Sequence, residues 1–220
     1  MKTAIIIGAT GLVGSTLVKQ ILDNPDYSKV TLLLRKPLDI QHPKLRQESV
    51  DFDKPDVTKI VGDDLFCAMG TTLRKAGSKE AQYKIDCTYP YEFGKIAKTN
   101  GVKQYILVSS IGSDANSNSF YLRTKGDLEQ KIKALGFENF ISVRPSFILG
   151  NRQEFRFGEK IGIVLAKVIS PLLVGSLKKY RGIEAAQIAK AMQVLADKGL
   201  KGVHFFESDE LQALLSFDNV

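Results

Sequence analysis

The chain has 220 residues, of which 44% are hydrophobic and 25% are charged, a composition typical of one soluble globular domain. Two cysteines are too few for a disulfide framework and cannot build a metal site with two histidines, so we expect a cytoplasmic protein without a metal. The formal net charge is +7, but the basic residues are dispersed, which argues against a dedicated nucleic-acid-binding stripe and indicates a general attraction for anionic ligands.

The first predicted element is a short isoleucine-rich strand that ends at Gly8 and leads into a helix-type pattern. Gly8, Gly11 and Gly14 permit a tight turn, approach of the backbone to a diphosphate, and close packing of helix on strand. The helix N-terminus favours an anion, and the regular glycines argue against a secretory signal. The residues expected to contact a dinucleotide here are Gly8, Ala9, Thr10, Gly11, Leu12 and Val13.

A second buried strand is predicted over Lys29–Leu34, and it ends at Arg35 and Lys36. In a dinucleotide-binding fold this position lies beside the adenosine ribose. An acidic residue there binds the 2′-hydroxyl of NAD, whereas an arginine accommodates the 2′-phosphate of NADP. The two cations therefore favour NADP(H); the alternative is a pair of solvated charges at a strand end.

Two further strands supply other expected cofactor contacts. The third is predicted over residues 48–53, with a polar exit that places Phe52 or Asp53 beside the adenine. The fourth begins at Asp64 and runs into a small-residue turn, where we expect Met69 and Gly70 to contact the cofactor.

Strands and helices alternate along the rest of the chain with short links. The later elements are a helix around 81–98 weakened by a proline, a fifth strand over 102–108, a sixth over 140–143, an amphipathic helix over 182–198 and a last strand over 202–206. This alternation predicts a parallel sheet with helices on both faces. We expect a Rossmann-type, doubly wound α/β fold in one domain, 1–220, whose part from about residue 145 covers the substrate pocket.

A set of groups suited to carbonyl reduction follows the fifth strand. Ser109 and Ser110 close that strand, at the edge where open α/β sheets bind ligands. Tyr121 and Lys125 stand four apart on a predicted helix and share one face. A nearby ammonium lowers the pKa of a tyrosine toward neutrality, so the phenol can supply a proton while a serine binds the carbonyl. A tyrosine and a lysine four residues apart on a helix are usually a solvated pair. Here the pair follows the strand-end serines on a chain that begins with a nucleotide-binding loop, and this order favours a catalytic role.

These stretches resemble the short-chain dehydrogenase/reductases, in the atypical oxidoreductase branch of Tat-interacting protein 2 with its NmrA-like relatives. The resemblance covers almost the whole chain. It is carried by Gly8–Gly14, Gly70–Thr72, Ser109-Ser110 through Tyr121-x-x-x-Lys125-Gly126, Arg144-Pro145 and Asn151–Arg156.

The resemblance implies roles for individual residues. Tyr121 is then the acid/base, and Lys125 binds the nicotinamide ribose while tuning the tyrosine. Ser110 matches the catalytic serine, with Ser109 as its neighbour in the cofactor site. The asparagine that many members carry in the fourth helix has no clear counterpart, the nearest candidate being Asp86.

The C-terminal third contains a polar cluster, Arg152, Glu154 and Arg156. Two interpretations stay open: Arg152 and its neighbours anchor a substrate or cofactor anion, or they form an internal ion network. The apolar stretch 161–175 covers the pocket as a flap or packs as core, and it is too short to span a bilayer.

The prediction is an NADP(H)-dependent oxidoreductase acting on a small carbonyl or alcohol substrate. Three alternatives belong to other classes. An NmrA-like sensor would bind dinucleotide without turnover, but it would not need Tyr121, Lys125 and Ser110. A sugar-nucleotide epimerase or dehydratase usually prefers NAD, against which Arg35 counts. A nucleic-acid-binding protein is suggested only by the net charge.

Overall fold

The computed structural model describes residues 1–150 and 174–216. Its strands are β1 (Lys2–Ile7), β2 (Tyr27–Leu34), β3 (Leu45–Ser49), β4 (Asp64–Cys67), β5 (Gln104–Val108), β6 (Asn139–Arg144), β7 (Ile148–Leu149), β8 (Ile183–Glu184) and β9 (Gly202–Glu207). Its α-helices are α1 (Leu12–Asp23), α2 (Leu73–Ala76), α3 (Lys79–Tyr83), α4 (Tyr89–Thr99), α5 (Phe120–Ala134), α6 (Ala185–Asp197) and α7 (Ser208–Ser216). Short 3₁₀ turns span Val57–Lys59 and Gly175–Tyr180, and a π-helical turn spans Lys84–Thr88.

Seven strands form one parallel sheet in the order β3-β2-β1-β4-β5-β6-β9. The order reverses between β1 and β4, so adjacent crossovers leave the sheet on opposite faces there and open a crevice at the carboxyl edge. β7 and β8 pair separately. This is the predicted Rossmann-type α/β fold.

Each face of the sheet has its own buried layer. Ile6 packs with Leu17 of α1 and Ile188 of α6, and all three are fully buried. On the opposite face, Ile5 packs in the cluster that contains Leu128 of α5 and the aromatic residues of α4 and β5. Strands that are buried on both faces have nearly continuous apolar sequences, and β1 and β2 can therefore be predicted from the sequence.

The third strand does not lie where the sequence placed it. The structure gives Leu45–Ser49, paired with β2 from Val30↔Leu45 to Leu34↔Ser49, so residues 50–53 form a loop. β3 is an edge strand of half-exposed and exposed residues, and it carries no apolar run that would reveal its limits.

The helix predicted around residues 81–98 is divided in two. α3 and α4 are separated by the π-helical turn, and Pro90 lies in the first turn of α4. Proline has no N–H and is tolerated at the start of a helix rather than within it. α7 and the small β7–β8 pair were not predicted from the sequence. Within the described residues, no helix is both long enough and apolar enough to cross a membrane.

Candidate active site

The glycine loop joins β1 to α1 at the switch point of the sheet. Gly8 has φ +84°, and a β-carbon there would lie 2.5 Å from the Ala68 carbonyl carbon. A β-carbon at Gly14 would lie 2.1 Å from the Gly8 oxygen, so glycine is required where α1 crosses the end of β1. Gly11 is exposed, and the nearest atom to an added β-carbon is the Gly8 oxygen at 3.4 Å. Among the described residues, nothing therefore occupies the space in front of Gly11.

The N-terminus of α1 fits a diphosphate. Gly11 is its N-cap residue and supplies no side-chain cap, and the first turn contains no acidic residue. Helix N-terminal N–H groups without a side-chain acceptor, together with the helix dipole, favour a phosphate anion. Thr10 is exposed, Ala9 and Val13 are buried, and Leu12 is partly buried against Gly150. This loop therefore offers a cofactor its backbone N–H groups and the exposed Thr10 side chain.

Arg35 and Lys36 directly follow β2, and both are exposed. Within the two described ranges neither side chain has a hydrogen-bond or ion-pair partner. The loop beyond them is fixed by Gln47 of β3, which bonds the backbone of Leu38 through both its amide oxygen (2.7 Å) and its amide nitrogen (3.0 Å). Two exposed cations, without a partner among the described residues, thus stand at the end of the strand next to β1.

The loop after β3 is attached to the α3–α4 region. Phe52 is half-buried, with its ring 4.9 Å from that of Phe93 and 5.6 Å from that of Tyr89. The Asp53 carboxylate accepts a hydrogen bond from the Tyr89 hydroxyl at 3.0 Å and pairs with Lys84 at 2.5 Å. Hydrogen bonding to Lys84, then to Tyr89, lowers the pKa of Asp53. Asp53 is therefore ionised and engaged within the protein.

Tyr121 and Lys125 lie on α5, as predicted. Tyr121 is half-buried in the first turn, and no described residue hydrogen-bonds its hydroxyl. Lys125 is only 3% exposed, and its ammonium donates to the Met69 carbonyl at 3.3 Å. Gly126 sets the position of this helix, because a β-carbon there would lie 2.2 Å from the Ala115 nitrogen. Close packing of α5 on the loop after β5 thus carries both side chains to the carboxyl edge.

The turn after β4 borders Lys125 and Asp86. A β-carbon at Gly70 would lie 3.7 Å from Lys125 Nζ and 3.9 Å from Asp86 Oδ1. Burial disfavours the charged form of Lys125, but electrostatic interactions with titratable neighbours, Asp86 first and then Tyr121, together outweigh burial and raise the pKa of the lysine. The ammonium is therefore charged at neutral pH. The sequence indicated Asp86 only as a candidate, because 38 residues separate it from Lys125 along the chain.

The serine pair divides into one structural and one available hydroxyl. Ser109 is 4% exposed, and its hydroxyl lies 3.0 Å from that of Ser113, which donates in turn to the Ser110 carbonyl at 2.7 Å. Ser110 is half-buried, and among the described residues its hydroxyl makes only a long hydrogen bond, 3.4 Å, to the Ile111 carbonyl. Ser110 can therefore redirect its hydroxyl to a ligand.

Arg152, Glu154 and Arg156, and the stretch 161–173, lie outside the described residues. The chain reaches them through β7 and Gly150, which packs on the Leu12 side chain at the glycine loop. The described part of the site thus consists of the glycine loop, the β2 end, the turn after β4, and α5 with the serines before it.

A parallel sheet with this loop at its switch point defines a dinucleotide-binding protein. The model of the NAD(P)H-binding family matches residues 8–160, and the chain belongs to that family. The predicted membership of the atypical short-chain dehydrogenase/reductases is confirmed by relatives with similar chains. Protein HTATIP2 of Rattus norvegicus is 39% identical over 164 residues, 72% of this chain and 67% of that protein. Protein FMP52, mitochondrial, of Candida albicans is 36% identical over 206 residues, 90% and 89% of the two chains.

Solved structures show the same fold. MoeE5 in complex with UDP-glucose and NAD has a TM-score of 0.69 at 15% identity, covering 100% of this chain and 82% of that one. UDP-N-acetylglucosamine 4-epimerase from Methanobrevibacter ruminantium M1, in complex with UDP-N-acetylmuramic acid, has a TM-score of 0.69 at 17% identity, covering 99% and 81%. At these identities the likeness concerns the fold alone.

The predicted cytoplasmic location is wrong by this comparison. Relatives from Candida albicans, Eremothecium gossypii and Emericella nidulans, similar over 90%, 98% and 92% of this chain, are all named mitochondrial. The prediction used the two free cysteines, Cys67 and Cys87, both buried in the structure. Unpaired cysteines indicate a reducing environment, and that property does not specify one compartment.

Proposed function

We propose that the protein is an NADP(H)-dependent oxidoreductase that interconverts a carbonyl group and an alcohol. The observation that carries this proposal is the Tyr121 hydroxyl, which has no hydrogen-bond partner in the described part of the chain and lies one helical turn from the buried ammonium of Lys125. Both lie at the carboxyl edge of a parallel sheet, where such folds bind their ligands.

The side chains have distinct roles in the reductive direction. A nicotinamide held at this site would supply the hydride that reduces the carbonyl carbon. Tyr121 donates its phenolic proton to the carbonyl oxygen, and the Lys125 charge stabilises the phenolate that is left. Ser110, whose hydroxyl has only a long internal bond, donates a hydrogen bond to the same oxygen. The oxidative direction reverses both transfers.

The preference for NADP(H) rests on Arg35 and Lys36. Both are exposed and unengaged within the described residues, at the end of the strand next to β1. No acidic residue stands at that strand end to accept the 2′-hydroxyl bonds of NAD. A 2′-phosphate would receive charge-assisted hydrogen bonds from these two side chains.

Kinetics of Tyr121→Phe test the proposal. The variant keeps the ring but removes the transferable proton, so kcat should fall about 10²–10⁴-fold while NADPH affinity is unchanged. Tyr91→Phe, a half-buried tyrosine on α4, is the matched control and should keep wild-type turnover.

Lys125→Met should lower both kcat and NADPH affinity, because the ammonium serves the tyrosine and the cofactor ribose. Calorimetric titration with NADPH separates the two effects. Near-normal turnover by Tyr121→Phe would assign the proton to another group and refute the proposal.

A further inference from the structure

Asp86 occupies an unusual backbone position. Pro90 has no N–H with which to bond the Asp86 carbonyl four residues back, so an α-helix cannot run through this point. The chain instead forms the π-helical turn, in which the Tyr89 N–H donates to the Lys84 carbonyl five residues back. Such π-helical turns are rare in proteins overall, but many of those that occur lie at functional sites. Here it delivers a carboxylate that is 0% exposed into the interior.

Asp86 and Lys125 converge on one short turn. Asp86 Oδ1 accepts a hydrogen bond from the Thr71 N–H at 2.6 Å, and Lys125 Nζ donates to the Met69 carbonyl at 3.3 Å. Gly70 lies between those two residues, and its missing β-carbon would touch both charged groups. The turn after β4 is thus held from two sides, by a carboxylate and by an ammonium.

Charge favours a functional pairing of the two. A buried ammonium is costly unless an opposite charge compensates it. The titratable groups around Lys125 in the described residues are Asp86 and Cys87 on the π-helical turn, Tyr121 on α5 and Cys67 on β4. Of these, only the carboxyl is ionised at neutral pH by its ordinary pKa.

We propose that Asp86 is the buried counter-ion of Lys125 and a positioning residue of the active site. Its carboxylate keeps the lysine protonated and holds the ammonium at the Met69–Thr71 turn. The inference deepens the proposed function, because it explains how the cation that serves Tyr121 persists in a buried position. Both groups flank the Met69–Thr71 turn in the protein without cofactor, so the pairing can be tested in the ligand-free protein.

Asp86→Asn keeps an oxygen for the Thr71 N–H but removes the charge. Burial lowers the pKa of Lys125, and in the variant the charge of Asp86 no longer offsets this effect. The pKa of the lysine therefore falls below its ordinary value. Between that lowered pKa and the ordinary value of 10.5, the unfolded chain binds the proton and the folded chain does not. Stability of the variant must therefore rise with pH there, by up to about tenfold per pH unit in the folding equilibrium constant.

Urea unfolding of the ligand-free protein from pH 7 to pH 10 provides the readout. Asp86→Asn should be less stable than wild type at pH 7, and the difference should shrink as the pH rises. The same substitution in a Lys125→Met background should show no such trend. Asp127→Asn is the matched control. Asp127 lies on α5 with Lys125 but is not among the titratable groups around that lysine, so the pH dependence of stability in this variant should follow wild type. If Asp86→Asn lost the same amount of stability at every pH, Asp86 would serve only as a hydrogen-bond acceptor for the Thr71 N–H, and the proposal would be overturned.

Lys125→Met gives an independent test should Asp86→Asn fail to fold. Without the ammonium, the Asp86 carboxyl loses a neighbouring positive charge, so its pKa in the folded variant is higher than in folded wild type. The stability of the variant relative to wild type should therefore fall as the pH rises through the range in which carboxyl groups titrate. If the stability of Lys125→Met and that of wild type changed with pH in the same way, the result would contradict the pairing of Asp86 with Lys125. Neither test depends on turnover, so failure of the proposed function leaves them interpretable.

Discussion

A side chain at Gly11 should abolish cofactor binding and leave the fold intact. Gly11 has φ −77° and ψ 170°, a conformation open to any residue, and an added β-carbon would meet its nearest atom at 3.4 Å. Gly11→Val should therefore fold, with a cost of at most about 1 kcal/mol at the helix N-cap. Its branched side chain would occupy the space in front of the helix N-terminus, where the diphosphate must approach.

Thermal unfolding measures the consequence. NADPH at 100 times its Kd stabilises a binding-competent protein by about 2.7 kcal/mol. For a chain of this size that corresponds to a rise in Tm of about 5–11 °C. Wild type should show the rise, and Gly11→Val should not.

Gly14→Ala is the contrasting variant. Its β-carbon would lie 2.1 Å from the Gly8 oxygen, so the backbone must move, and the ligand-free protein should lose about 1–3 kcal/mol of stability. A Gly11→Val protein that gains the full Tm shift would refute the assignment of this loop to the diphosphate.

Three further predictions concern other parts of the molecule. Arg35→Ala should weaken NADPH binding about ten- to hundredfold and leave NADH binding unchanged in calorimetric titration; equal losses would contradict the 2′-phosphate contact. Arg144→Ala should cost about 3 kcal/mol in urea unfolding, because it strips Glu129, 4% exposed, of its bidentate partner; a loss below 1 kcal/mol would show that the pair is dispensable. Hydrogen bonding to Lys84 lowers the pKa of Asp53, so its stabilising contribution, present above about pH 4, should fade as the pH falls, and Asp53→Asn should lose less stability in acid than wild type.

The sequence predicts those parts of the fold that are governed by local pattern. Apolar runs locate β1 and β2, which are buried on both faces, and the glycine spacing locates the loop between β1 and α1. The predicted position of β3 was wrong by a few residues because an edge strand has no continuous apolar run that marks its limits. The π-helical turn escaped prediction because periodicity describes α-helices and strands only, although Pro90 signalled an interruption.

The candidate site divides in the same way. Tyr121 and Lys125 are four residues apart on one helix, so local spacing suffices to place them together. The approach of Asp86 to Lys125 depends on the packing of α5 against the π-helical turn, and no local rule reports it. The two adjacent serines are alike in sequence. They differ only because Ser113 folds back onto Ser109 and leaves Ser110 available.

Transfer of deuterium from NADPH labelled at C4 tests the central claim most directly. The purified protein is incubated with the labelled cofactor and a panel of aldehydes and ketones, and alcohol products are analysed by mass spectrometry. The proposed function predicts deuterium on the carbinol carbon of at least one product, with the yield reduced about 10²–10⁴-fold in Tyr121→Phe. Tight NADPH binding without transfer to any carbonyl would contradict it and indicate a dinucleotide sensor.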